Sequence, residues 1–150
     1  MRAVIQRVVQ ASVEVEEEII SEIGPGLLIL LGIEEADGTN DLEWLVAKIT
    51  RMRIFDDEDG KMNLDLKARD GSALIVSQFT LHASTKKGNR PSYIKAARPE
   101  HAEPLYEAFC EAFSEQLGHP VGRGSFGAMM KVSLVNDGPV TILIDSQNRE

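Results

Sequence analysis

Two apolar runs constrain the fold most: Leu27-Leu28-Ile29-Leu30-Leu31 and Ala73-Leu74-Ile75-Val76. The first has no polar residue to turn toward water, so it predicts a strand buried on both faces. The second reads as a buried strand of the same kind. Turn-forming residues precede each, Gly24-Pro25-Gly26 and Asp70-Gly71, which sets where the strands begin. A chain with such strands must cover a sheet with other layers.

The rest of the chain supplies those layers. Arg2 to Gln10 alternates, with Ala3, Ile5, Arg7 and Val9 on one face and Val4, Gln6 and Val8 on the other. That period is a strand's. Ser12 to Glu17, Ile19 to Ile23, Ala128 to Val135 and Val140 to Ile144 predict further strands. Asp56 to Gly60 predicts a tight turn between two short strands; its spacing does not fit a calcium loop.

Asn40 predicts a helix start, capped with help from Glu43. Leu42, Leu45, Val46, Ile49 and Met52 follow as one apolar stripe, and Lys48, Arg51 and Arg53 crowd the C-terminal end, where cations suit the helix dipole. A second helix begins between Pro99 and Pro104 and ends at Gly118. Its stripe is Ala102, Leu105, Tyr106, Phe109, Cys110, Phe113 and Leu117, opposite an acidic face. Cys110 therefore predicts an inert core thiol.

The chain has 150 residues, 43% of them apolar, and shows no linker or repeat. The expectation is one domain, residues 1–150, of the α+β class: a mostly antiparallel, barrel-like sheet with two main helices. No apolar run reaches the ~18 residues of a membrane span, and the single cysteine agrees with a reducing compartment, so a cytoplasmic protein with no membrane partner is expected. Net charge is −8, from 16 basic and 24 acidic residues, which argues against general nucleic-acid binding. Any RNA must meet a local basic patch. Lys86-Lys87-Gly88-Asn89-Arg90 is the compact basic stretch, either a solvated loop or an RNA contact.

Several chemistries can be weighed on residue types. His82, His101 and His119 lack the spacing of metal ligands, so neither metal nor cofactor is expected. Gly122 to Gly127 lacks the spacing of a nucleophile elbow or a phosphate loop. Its Phe126 either stacks on a base or plugs the core. Arg7, on an apolar face, either lines a pocket or snorkels to the surface. Ser77-Gln78-Phe79-Thr80-Leu81 continues the second apolar run. If the strand carries on, Gln78, Thr80 and His82 share one face while Ser77 and Phe79 share the other. Gln78 and Thr80 could orient a polar substrate, or merely bond the backbone at a strand's end.

Four separated stretches carry a resemblance: Met1 to Val8, Ser77 to Leu81, Gly124 to Met130, and Asn136-Asp137-Gly138-Pro139-Val140-Thr141. In this order they resemble the D-aminoacyl-tRNA deacylases, first described as D-tyrosyl-tRNA deacylases. The resemblance implies a homodimer with active sites at its interface, acting on the 3′ acceptor end of aminoacyl-tRNA. It implies hydrolysis of the ester of a D-amino acid, and of glycyl-tRNA, as chirality proofreading. Ser77, Gln78, Phe79 and Thr80 would form the catalytic segment. A cis Gly138-Pro139 of one subunit would enter the other's pocket and hold the α-amino group. Arg7, Phe126, Ala128 and Met130 would contact substrate, with Phe126 and Met130 beside the terminal adenosine; Lys86, Lys87 and Arg90 would contact tRNA. The family often has an aromatic residue where His82 stands, which argues against His82 as a required base. Two other classes stay open: a non-catalytic tRNA-binding module, and a small-molecule esterase with Thr80 as nucleophile.

Overall fold

A computed structural model describes residues 1–150. Its elements in order are β1 (Arg2–Val15), β2 (Glu18–Ile23), β3 (Gly26–Gly32), α1 (Thr39–Thr50), β4 (Phe55–Asp56), β5 (Met62–Leu64), β6 (Ser72–Ser77), a 3-10 turn (Phe79–His82), α2 (Pro99–Leu117), β7 (Gly122–Arg123) and β8 (Lys131–Asp145). The main sheet has six strands in the order β2-β1-β3-β6-β7, with β8 on β1. β1 pairs antiparallel with β2, β3 and β8. β3–β6 and β6–β7 are parallel, so the sheet is mixed while antiparallel pairings predominate. Parallel neighbours need a crossover. α1 lies in the crossover between β3 and β6, and α2 in that between β6 and β7.

The sheet curls until it is nearly a barrel. A Cβ on Gly122 of β7 would stand 2.7 Å from Ser21 Oγ of β2, so the two edges approach. Strand alternation then sorts the core into two clusters. Ala3, Ile5, Leu27, Ile29, Leu31, Ala73 and Ile75 join the helix stripes in the larger one. Val8, Ala11, Val13, Leu28, Leu74 and Val76 fill the smaller one on the other face. Both Leu27–Gly32 and Ala73–Val76 are thus buried on two sides, as their composition demands. Each buried Leu or Ile contributes about 1.5–3 kcal/mol.

Four boundaries differ from expectation. The segments expected at 2–10 and 12–17 form one strand, β1, which ends at Val15, with Glu16 and Glu17 turning at positive φ into β2. Val8 pairs with Asn136 and Gln10 with Val135, so Val9 is an extra, exposed residue. This bulge reverses the alternation, and odd-numbered residues change clusters across it. The segments expected at 128–135 and 140–144 are likewise one strand, β8, which begins only at Lys131 and is interrupted by a bulge around Gly138-Pro139. α1 is capped before Asn40: Gly38 is the N-cap, and Asp41 Oδ2 accepts its N–H at 3.0 Å. β6 stops at Ser77, and the chain enters a 3-10 turn instead of extending.

The second helix matches its sequence pattern closely. Pro99 is its first residue and Gly118, at φ 91°, ends it. Cys110 is fully buried, and burial pushes its thiol up to about 12. No helix is long and apolar enough to cross a membrane.

Candidate active site

The end of β6 is held from several sides. Gln78 N–H donates to the Leu31 carbonyl at 2.8 Å, which ties the chain to β3. The turn then packs against Gly32, where a Cβ would meet Leu81 Cβ at 2.9 Å and the Gln78 carbonyl at 3.0 Å. Only glycine allows this approach. From outside, Arg2 Nη1 donates to the Leu81 carbonyl at 3.1 Å while its Nε donates to Asp145 Oδ2 at 2.7 Å. Burial pushes the Asp145 carboxyl up, but Arg2, the Gln147 N–H and the nearby N-terminal charge outweigh it and hold the carboxyl low.

Side chains of Gln78 and Thr80 meet despite the change from strand to turn: Gln78 Nε2 donates to Thr80 Oγ1. As the first two residues of the 3-10 turn, Phe79 and Thr80 have N–H groups with no acceptor inside it. His82 is swallowed by the fold, 1% exposed, with neither ring nitrogen hydrogen-bonded. Its nearest charged neighbour is Glu34, at 3.8 Å from Nδ1. It is not engaged with the Thr80 hydroxyl, and the shared strand face expected for the two does not exist.

The turn borders a cavity of about 410 Å³. Ser77, Gln78 and Phe79 form one wall, Phe126 and Gly127 a second, and Tyr93 with the start of α2 a third. Phe79 is 56% exposed and meets Tyr93 edge-on, their centroids 5.1 Å apart. Phe126 does two things at once: it lines the cavity and packs its ring 5.9 Å from Tyr106 at the core's rim. Tyr93, Arg98 and Pro99 line the cavity too. Sequence reasoning missed them because nothing local distinguishes a cavity wall from a solvated loop.

Ala128 and Met130 do not line this cavity. They border a different depression, beside Glu14 to Glu17, and Met130 packs on the smaller core cluster. The basic residues Lys86, Lys87 and Arg90 are all exposed. They stand at the tip of a loop closed by paired backbone bonds between Ser84 and Ser92, of 2.8 and 2.9 Å.

Gly138-Pro139 is also outside the cavity, in the β8 bulge. Residues 137–140 of β8 oppose the single residue Arg7 of β1, since Gln6 pairs with Thr141 and Val8 with Asn136. The peptide is cis, Gly138 has φ 127°, and residues 137–139 are exposed. Asn136, which sequence reasoning left out of the site, closes the base of the bulge by accepting the Val140 N–H at 3.0 Å. Arg7 is only 6% exposed. It donates Nε to the Asp137 carbonyl at 3.2 Å and Nη1 to the Ile54 carbonyl at 2.7 Å. The Asp137 and Asp56 carboxylates lie 3.2 and 3.6 Å from it. Within this chain Arg7 anchors the bulge and lines no part of the cavity beside Phe79.

Comparison with known proteins gives a consistent answer. The family model described as D-Tyr-tRNA(Tyr) deacylase matches residues 4–145. Proteins named D-aminoacyl-tRNA deacylase from Parabacteroides distasonis and Christiangramia forsetii are 60% and 64% identical, over 100% and 99% of both chains. A solved structure titled c-Myc DNA Unwinding Element Binding Protein superposes with TM-score 0.90 at 43% identity, covering 97% of this chain and 98% of that one. A probable eukaryotic D-amino acid tRNA deacylase shares the fold, with TM-score 0.82 at 18% identity over 95% of this chain and 97% of its own. A match across nearly every strand and helix, with relatives this similar end to end, means that the chain belongs to the D-Tyr-tRNA(Tyr) deacylase family.

Proposed function

We propose that this protein hydrolyses the ester bond of D-aminoacyl-tRNA, and of glycyl-tRNA, releasing free tRNA and the amino acid as a cytoplasmic proofreading step. The observation that carries this reading beyond family membership is the turn at Phe79 and Thr80, with two N–H groups unclaimed within it; Phe79 lines an aromatic-walled cavity, and Thr80 follows it in the turn, outside that lining. Such donors suit an ester carbonyl whose oxygen becomes an oxyanion. Water adds to the carbonyl carbon, the N–H groups of Phe79 and Thr80 take up the negative charge, and the carbon–oxygen bond to the ribose breaks. The water's proton passes to the departing 3′-oxygen, with the adjacent 2′-hydroxyl within reach. Gln78 holds the Thr80 hydroxyl, which keeps the turn in shape for this task. The ester is reactive enough that orientation and charge stabilisation supply most of what is needed.

The cavity walls of Phe79, Tyr93 and Phe126 suit the terminal adenosine, whose base has an apolar face. Lys86, Lys87 and Arg90 suit backbone phosphates. The exposed Gly138-Pro139 bulge suits insertion into the site of a second copy, its carbonyls accepting the substrate's α-amino group and its backbone excluding an L-side chain. This reading requires a homodimer with active sites at the interface. A small-molecule esterase with a Thr80 nucleophile is disfavoured, because that hydroxyl accepts from Gln78 and has no base beside it.

One assay tests the proposal. Purified protein is offered D-aminoacyl-tRNA, L-aminoacyl-tRNA and a free D-amino-acid ester. Rapid release from the first alone is expected. Tight tRNA binding without release would mean a binding module, and turnover of the free ester at a comparable rate would mean an unspecialised esterase.

A further inference from the structure

α1 ends in a cluster of cations that none of these roles uses. Lys48, Arg51 and Arg53 are exposed there, and Arg149 joins them from the end of the chain. Trp44 organises two of them: the Arg149 guanidinium lies 4.3 Å and Lys48 Nζ 5.7 Å from its ring centroid. The ring is itself fixed by packing on the core. Beside it opens a depression of about 480 Å³ lined by Trp44, Ala47, Lys48, Arg51, Met52 and Arg53. Three of those six residues are cations and none is acidic.

What sets this cluster apart is crowding: exposed cations gather around Trp44 and the depression beside it, and no carboxylate lines that depression. Arg2, Arg7, Arg123 and Lys131 each sit on a carboxylate, whereas Lys48, Arg51, Arg53 and Arg149 form no ion pair. In a chain of net charge −8 with 24 acidic residues, four neighbouring cations left unneutralised favour an anionic partner. Arginine forks and a lysine ammonium match phosphate oxygens, and holding two of them against an indole lowers the entropy cost of binding. Trp44, Ala47 and Met52 give the depression an apolar, half-buried lining as well, so a lipid surface is the alternative that the test must separate.

The cluster's position gives it a purpose. Arg53 immediately precedes Ile54, whose carbonyl accepts from Arg7, the anchor of the Gly138-Pro139 bulge. We propose that this depression is a second RNA-binding surface, in which Lys48, Arg51, Arg53 and Arg149 hold the phosphate backbone of tRNA away from its aminoacylated end. The inference rests on the tRNA deacylase reading for its choice of polyanion.

The test is the variant Lys48→Gln/Arg51→Gln/Arg53→Gln, which keeps long side chains on an exposed face. Uncharged full-length tRNA, a short single-stranded oligonucleotide ending in CCA and vesicles containing phosphatidylserine are titrated in a salt series. The variant is expected to bind full-length tRNA roughly tenfold or more weakly near physiological salt, with its log–log salt slope reduced by about 0.9 for each phosphate that is no longer neutralised. Affinity for the short oligonucleotide, and the rate of hydrolysis of its D-aminoacyl ester, should not change. Unchanged tRNA affinity and slope would overturn the proposal, as would equal weakening toward the short oligonucleotide, or an effect confined to vesicles. These titrations read binding only, so they remain decisive even if the wild type released no D-amino acid, a result that would sink the deacylase reading separately.

Discussion

Arg7 donates its Nε to the backbone carbonyl of Asp137 at 3.2 Å, and by this bond a buried residue of the first strand holds out an exposed bulge of the last. The same guanidinium closes off the Ile54 carbonyl, so the bulge, β1 and the segment after α1 share one anchor. Arg7→Ala should leave the Ile54 acceptor without its partner, costing about 1–3 kcal/mol. Deacylation should fall further than this loss of stability explains, because the bulge is no longer held. Gly138→Val should act on the same place by sterics. Its Cβ would stand 3.1 Å from Arg7 Nη2 at a φ of 127°, which β-branched residues avoid. Comparing kcat/KM on D-aminoacyl-tRNA with urea midpoints checks both; wild-type activity in both variants would show the bulge to be a passive connection.

Thr80→Ala tests whether side chain or backbone acts in the turn. Its hydroxyl accepts from Gln78 and faces no base, so most activity should survive, within about tenfold. A loss of several powers of ten, with single-turnover kinetics showing no chemistry, would mean that the hydroxyl is the nucleophile.

His82→Phe should be close to neutral for both folding and turnover. The imidazole is buried and neither nitrogen is bonded, so an apolar ring of similar shape removes unsatisfied polar atoms. Thermal unfolding and kcat together decide this. A variant that folds normally but has lost activity would assign His82 a chemical role.

The basic loop makes a separate prediction. Lys86→Ala with Lys87→Ala changes only exposed residues at the tip of a loop closed by Ser84 and Ser92. It should weaken tRNA binding and reduce the slope of affinity against salt, and here the short CCA-ending oligonucleotide should feel the loss as well. An unchanged salt series would mark the loop as merely solvated.

Asp145 links the turn to pH. Its carboxyl is held below its ordinary 3.8 in the folded protein, chiefly by Arg2. A depressed folded value stabilises the fold fully above the unfolded value, and that contribution fades as pH falls through the folded one. Stability should therefore decline on acidification below about 3.8. Asp145→Asn should remove this component of the decline and loosen the hold of Arg2 on the Leu81 carbonyl. Denaturant titrations of both proteins across that range measure the difference.

Much of this architecture is determined by the sequence alone, because some signals are local. Leu27–Leu31 and Ala73–Val76 have no polar face, so they must be interior strands wherever they lie. The stripe from Ala102 to Leu117, with proline before it and glycine after, specifies a helix without help from the rest of the chain. Tertiary structure decided the remainder. Val9 becomes a bulge only because β8 pairs on either side of it, so the alternation of β1 broke where the sequence suggested two strands. Gln78 to His82 has a strand's composition, but Gly32 and Arg2 fold it into a turn. Arg7 was ambiguous between pocket and surface, since its partners come from residues 54 and 137, brought beside it by pairing across the whole chain. Periodicity reports which face of an element is apolar; it cannot report what a distant segment sets against that face. Trp44 and Lys48 stand four apart on α1, so the residue order already makes them neighbours; nothing in it hints that Arg149 joins them, because the ring and the guanidinium meet only once the chain's end returns to α1.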